Sequence, residues 1–185
     1  MVVISRHTKS PNLQIFKSPN LQISKSPNFQ FMKDPKTLTA VAEFHKTFRH
    51  PILGTPAIPS EDRCRLRVSL LAEELRELEE AIENRDLVEI ADALCDLQYV
   101  LSGAVLEFGL QDTFSDLFDE VQRSNMSKAC KTEEEAQATQ AHYRAKGVNA
   151  YYKEIDGLFL VYREGDNKTL KSVRYSPADL EKILG

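Results

Sequence analysis

No stretch of this 185-residue chain approaches the roughly 18 consecutive apolar residues that a membrane span needs, and its amino terminus lacks the unbroken apolar core of a secretory signal. A soluble protein without membrane partners is expected. Cysteine is scarce. Cys64, Cys95 and Cys130 are odd in number and form no Cys-x-x-Cys spacing, which argues against a disulfide framework and a structural zinc site and predicts reduced thiols in the cytoplasm. A basic excess is missing too: with a net charge of −4 the chain has no general positive field to meet phosphate backbones, so nucleic acid is not an expected partner. No histidine lies between His50 and His142, which disfavours a carboxylate-bridged di-iron bundle, because that site needs a Glu-x-x-His pair on each of two helices. The length suits one well-cored domain with an appendage.

The first segment, residues 1–31, is low-complexity. Lys9-Ser10-Pro11-Asn12-Leu13-Gln14-Ile15-Phe16 is repeated with small changes from Lys17 and again from Lys25. Eight residues cannot bury a face, and a proline in each copy opposes regular pairing, so disorder is expected rather than a solenoid. The segment has four basic residues and no acid, so the rest of the chain carries −8 against −4 for the whole. Three readings compete for it: translation assigned from too far upstream, an acid-poor transit peptide, or an interaction tail. Met32 would be a natural beginning, since Asp34 can cap a helix whose first position is Pro35.

Beyond it the apolar spacing predicts an all-α antiparallel bundle of four to five helices over 32–147, then a small β-hairpin with a short helix over 148–185. The first helix runs from Pro35 to about Phe48. Ser60 caps a second, from about Glu61 to Asn84, with Leu71, Leu75, Leu78 and Ile82 as its apolar stripe. Asn84-Arg85-Asp86 is a short break, and Asp86 with Glu89 makes a capping-box-like start to a third helix reaching about Phe108. A connection this short forces the two helices antiparallel. Asp112 caps a fourth helix to about Lys128, and a fifth spans Glu133 to Lys146 before Gly147. The hairpin is expected to pair 158–162 with 169–173 about a turn at Gly165-Asp166-Asn167, with a last helix from Pro177 to Leu184.

Acidic residues border the apolar stripes. At about 100° per residue, Glu73, Glu74 and Glu77 share one arc of the second helix, while Glu79 and Glu80 fall elsewhere as solvated charges. On the third helix Glu89, Asp92 and Asp96 lie within about 60° of one another, beside Ile90, Leu94, Leu97, Leu101 and Phe108. An antiparallel hairpin lets both arcs converge, and converging carboxylates repel unless a cation compensates. Oxygen donors without His or Cys suit Mg²⁺ or Mn²⁺, which complete their shells with water and substrate phosphates. That favours phosphate-ester chemistry. The alternative is an ordinary wet helix face on a non-catalytic interaction module, with Glu89 serving a capping box and Asp92 the helix dipole. Asp96 lies too deep in its helix for either duty.

Glu73-Glu74-x-x-Glu77, followed by Glu89-x-x-Asp92, resembles the signature of the all-α NTP pyrophosphohydrolases, the superfamily of MazG, dimeric dUTPase and phosphoribosyl-ATP pyrophosphohydrolase. Glu120-Val121-x-Arg123-Ser124-Asn125-Met126-Ser127-Lys128 and the tail Asp166-Asn167-Lys168-x-Leu170-Lys171-Ser172 with Tyr175-Ser176-Pro177 resemble its Cof-like branch. Asn167 stands where that branch commonly has glycine, and asparagine also tolerates left-handed backbone. The resemblance covers 33–185 and implies hydrolysis of a nucleoside triphosphate between the α and β phosphates. It further implies that Glu74, Glu77, Glu89 and Asp92 bind Mg²⁺, with Mn²⁺ as a substitute, that Glu73 orients or deprotonates water, and that Asn125 and Lys128 hold phosphate oxygens. Asp96 would support the ligands from behind. A homodimer or homotetramer is implied as well. No residue identifies the base.

Overall fold

The structure, a computed structural model, describes residues 36–185. The repeats, Met32 and the Asp34 and Pro35 helix start lie outside the described residues. Five substantial helices and a two-stranded sheet follow in order: α1 (Thr37–Phe48), α2 (Glu61–Asn84), α3 (Leu87–Glu107), α4 (Phe114–Met126), α5 (Glu133–Ala145), β1 (Ala150–Ile155) and β2 (Leu158–Arg163), with a last single turn, α6 (Glu181–Leu184). This is the expected helical bundle with a small hairpin.

Arg49 and Arg85 take left-handed backbone to end α1 and α2. Asp86 then caps α3 by accepting from the N–H groups of Val88 and Glu89, at 3.0 and 3.2 Å. The capping box is half present. The Asp86 N–H donates to the Ala81 carbonyl at 3.0 Å, so Glu89 has no capping duty to perform. Ser60 occupies the cap position of α2, but its hydroxyl caps nothing, and at α4 that position belongs to Thr113 rather than Asp112. The Thr113 hydroxyl donates back to Leu110, which leaves the α4 amides to other partners. Gly109 ends the α3 turn at φ +68, and a Cβ there would sit 2.0 Å from the Thr55 carbonyl oxygen, so the position excludes any side chain.

The α2–α3 hairpin is the centre of the helical part, and α1 lies chiefly across α3. Val41 and Leu106 are fully buried there, each contributing about 1.5–3 kcal/mol of apolar transfer. Ala81 and Ala93 are buried on the hairpin's inner face, where small side chains allow close approach. The expected core stripe is only partly covered: Leu75, Ile82, Leu94 and Leu101 remain exposed in the single chain.

The hairpin differs from expectation. Its arms are 150–155 and 158–163, paired antiparallel from Ile155 opposite Leu158 to Ala150 opposite Arg163. Asp156 and Gly157, at φ 52 and 77, supply the two positive-φ residues of a type I′ turn, a signal that outranks Gly165-Asp166-Asn167. Thr169 makes only an isolated bridge to Tyr162. Asn167 nonetheless adopts the left-handed conformation, at φ 57. Helix α5 packs on both strands around Cys130, Ala136, Ala150, Val161 and Leu170. The final helix is shorter than expected, its regular part beginning at Glu181.

Candidate active site

The register of the α2–α3 hairpin follows from two contacts near its open end. Arg63 of α2 donates through Nε to Glu107 of α3 at 3.0 Å, and four residues on, Arg67 packs directly against Gly103. Each residue gained along α2 is therefore matched by one lost along α3. Carrying that register seven residues toward the tip brings Glu74 opposite Asp96, and three further brings Glu77 opposite Ala93, beside Asp92. Glu89 then falls opposite Ala81, one turn closer to the tip.

The electrostatics agree with this geometry. Burial raises the Glu74 pKa above its ordinary value, and the charges of Glu77, Asp96, Glu73 and Asp92 raise it further. Both arms of the hairpin thus contribute to one anionic field centred on Glu74. Glu74 and Asp96 are half-buried, while Glu73, Glu77, Glu89 and Asp92 are exposed. Among the described residues no three acidic, His or Cys side chains are gathered into a ready-formed metal cluster.

The donor set nevertheless fits a hard divalent cation. It consists of carboxylate oxygens alone, and the repulsion that raises Glu74 is what such an ion relieves. Asp86 caps α3 without help from Glu89, so the principal structural role available to Glu89 is removed.

Asn125 and Lys128 are brought together, but elsewhere. Lys128 Nζ donates to Asn125 Oδ1 at 2.7 Å, which leaves the Asn125 amide N–H groups and the remaining ammonium hydrogens for an anion. The carboxy-terminal segment fixes this end of α4. The Ser172 N–H donates to the Lys128 carbonyl at 3.2 Å, the Ser124 hydroxyl to Tyr175 Oη at 3.0 Å, and Arg123 to the Pro177 carbonyl at 2.9 Å.

Sequence reasoning passed over a second charged cluster. Glu107 is wholly buried and is held by both Arg63 and Arg67, and Arg67 in turn reaches His45 Nε2 at 3.4 Å. Its signal was available: Glu107 interrupts Val105-Leu106-x-Phe108, and Arg63 and Arg67 stand four apart on the core side of α2.

The profile of the family described as phosphoribosyl-ATP pyrophosphohydrolase matches residues 41–125, taking in most of α1, the whole hairpin and α4 as far as Asn125. Over 75 residues the chain is 39% identical to an uncharacterized protein of Acanthamoeba polyphaga mimivirus. That alignment covers 38% of this chain and 30% of the relative, so the chain spans well under two thirds of the relative's length. None of the described helices is long and apolar enough to cross a membrane.

Proposed function

Because residues 41–125 belong to the all-α NTP pyrophosphohydrolase superfamily, we propose that the chain hydrolyses a nucleoside triphosphate to the monophosphate and pyrophosphate. The observation that carries this reading is the match of residues 41–125 to the phosphoribosyl-ATP pyrophosphohydrolase family, which takes in the whole hairpin that bears Glu73, Glu74, Glu77, Glu89 and Asp92. Glu74, Glu77, Glu89 and Asp92 would hold Mg²⁺ or Mn²⁺, which when bound offsets charge on the phosphate chain and polarises the phosphorus under attack. Asp96, opposite Glu74, keeps the ligand carboxylates oriented. Glu73 positions a water and accepts its proton as the water oxygen bonds to the α phosphorus. The bond from that phosphorus to the α–β bridging oxygen breaks, and pyrophosphate leaves.

Asn125 and Lys128 take phosphate oxygens through the N–H donors their mutual hydrogen bond leaves free. Since α4 does not pack extensively on α2 or α3 within one chain, the reading carries an assembly, a homodimer or homotetramer, in which acids and donors meet. Exposed Leu75, Ile82, Leu94 and Leu101 supply an apolar face for it. The cytoplasm is the compartment this reading implies, on the odd count of cysteines without a paired spacing.

Pyrophosphate release from a panel of ribo- and deoxyribonucleoside triphosphates, with and without Mg²⁺, tests the proposal. Release from at least one nucleotide only with the metal is the expected result. Silence across the panel, together with no effect of Mg²⁺ on thermal stability, would leave the acidic faces as the solvated surface of an interaction module.

A further inference from the structure

Helix α1 lies chiefly on α3, and the wedge left beside α2 is a cavity of about 370 Å³. Three rings frame one side. Phe44 and His50 stack at 5.7 Å with planes 12° apart, and Tyr99 meets Phe44 edge-on at 5.6 Å. Arg63 and Arg67 form the other side, with Gly103 behind them. A pocket of this volume, mostly apolar with a few fixed polar groups, has the character of a small-molecule site.

The polar wall has more donors than acceptors. One carboxylate, Glu107, is shared by two guanidinium groups, one buried and one partly exposed, so the cluster carries one positive charge in excess. His45 does not balance it. Its Nδ1 donates to the Pro51 carbonyl at 2.9 Å, burial lowers its pKa against the opposing Pro51 hydrogen bond, and its Nε2 lies 3.4 Å from Arg67. Arg67 is nine-tenths buried, and its Nε has no hydrogen-bond partner among the described residues. A Cβ at position 103 would lie 2.6 Å from Arg67 Nη1, so the glycine is what lets the guanidinium occupy this wall. The acceptors at hand are already engaged. A molecule entering the cavity must therefore bring its own acceptors.

The cavity also points along the hairpin toward the acids. Its lining residues Leu70 and Tyr99 are four residues from Glu74 and three from Asp96, about one helical turn or roughly 5 Å in each case. That gap is on the scale of the sugar that joins a base to its phosphates.

We propose that this cavity receives the base of the nucleotide whose phosphates lie at the acidic face. Its guanidinium wall favours a ring edge with two neighbouring acceptors, such as O6 and N7 of guanine, over adenine, which places an amino donor beside N7. The inference rests on the nucleotide reading of the acids, but its test does not need turnover. Ligand-observed NMR titration of the metal-free full-length chain with guanosine and adenosine monophosphate should give a Kd at least about fivefold lower for the guanine nucleotide. Tyr99→Ala removes a partly exposed wall without touching the buried charges and should weaken binding of both. Gly103→Ala displaces Arg67 and should bring the two affinities together. Wherever a triphosphate is turned over, Tyr99→Ala should raise KM more than it lowers kcat, because it removes binding that substrate and transition state share. Equal affinities in the unaltered chain, binding of neither nucleotide, or selectivity unchanged by Gly103→Ala would each overturn the assignment. Selective binding without turnover of any triphosphate would sink the catalytic reading and leave the cavity as a base site.

Discussion

Glu74 and Glu107 are the same side chain on the two arms of one hairpin, and their surroundings move them in opposite directions. Burial alone would raise the Glu107 pKa, but hydrogen bonds from Arg63 and Arg67 outweigh it and hold the carboxyl below 4.5. Burial likewise raises Glu74, yet its neighbours are Glu77, Asp96, Glu73 and Asp92, and they raise it further. At Glu107 the carboxylate charge is met by guanidinium groups of the chain itself. The region around Glu74 concentrates charge of one sign and leaves compensation to something that binds. The contrast separates a carboxylate that the chain itself satisfies from one that, on the proposed reading, a cation would satisfy, where acidic composition cannot.

Substitution around Glu74 gives the largest effect. Glu77→Gln and Asp92→Asn should abolish pyrophosphate release while leaving the metal-free fold intact or slightly more stable, since each removes repulsion around Glu74. Steady-state assays paired with urea denaturation of the same samples read both halves of this expectation. Full turnover in either variant would dissolve the comparison, because the anionic field would then have no function. At Glu107 the expected loss is of stability. Glu107→Ala strands two guanidinium groups, one of them buried, and should cost about 3–5 kcal/mol in urea denaturation.

The comparison also explains what the sequence could reveal. The hairpin was legible because an apolar period of three to four residues, broken at Asn84-Arg85-Asp86, leaves few alternatives. The acidic arcs were legible for the same reason: their spacing is local. Glu107 was not, since a lone charge inside Val105-Leu106-x-Phe108 acquires meaning only once α2 is laid against it. The cavity was less legible still, because it arises from how α1 crosses the hairpin, and that angle is set by packing rather than by period. The strand 150–155 was missed for a different reason. Tyr151-Tyr152-Lys153-Glu154-Ile155 is weakly alternating, and the Asp156-Gly157 turn signal went unread in favour of the glycine that follows β2. Ser60 and Asp112 show the limit of cap rules: residue type makes a cap possible, but the hydroxyl or carboxylate must also face a free amide.

Binding should sharpen the contrast further. A saturating divalent cation stabilises only the state that binds it, by about 2.7 kcal/mol at a hundredfold excess over Kd. Mg²⁺ should therefore raise the melting temperature of the unaltered chain and of Glu107→Asp, but not of Glu77→Gln. A rise of equal size in Glu77→Gln would place the ion elsewhere.

Acid and base should act on the two regions with opposite sign. Glu107 has a folded pKa below its unfolded value, so its contribution is present above pH 4.5 and is lost as pH falls through the lower folded value. Glu74 has a folded pKa above 4.5, so the metal-free folded state binds its proton more tightly than the unfolded chain does. Stability from that group falls as pH rises from 4.5 through the raised value. Urea midpoints measured across this window for Glu74→Gln should lack the second decline and keep the first. Losing both would mean that the two carboxylates titrate as one system.

The smallest effect belongs to Glu79, which is exposed and lies off the shared arc. Glu79→Gln should change stability by no more than about 0.5 kcal/mol and leave pyrophosphate release as it was. The comparison depends on this null result as much as on the large ones. If any glutamate of α2 were equivalent, the acidic face would be a matter of composition, and Glu77 would carry no more weight than its neighbour two residues on. If Glu79→Gln is as inactive as Glu77→Gln, α2 presents its opposite side to the phosphates. The hairpin register built from Arg63–Glu107 and Arg67–Gly103 would then fail with it, since that register is what sets Glu74 against Asp96.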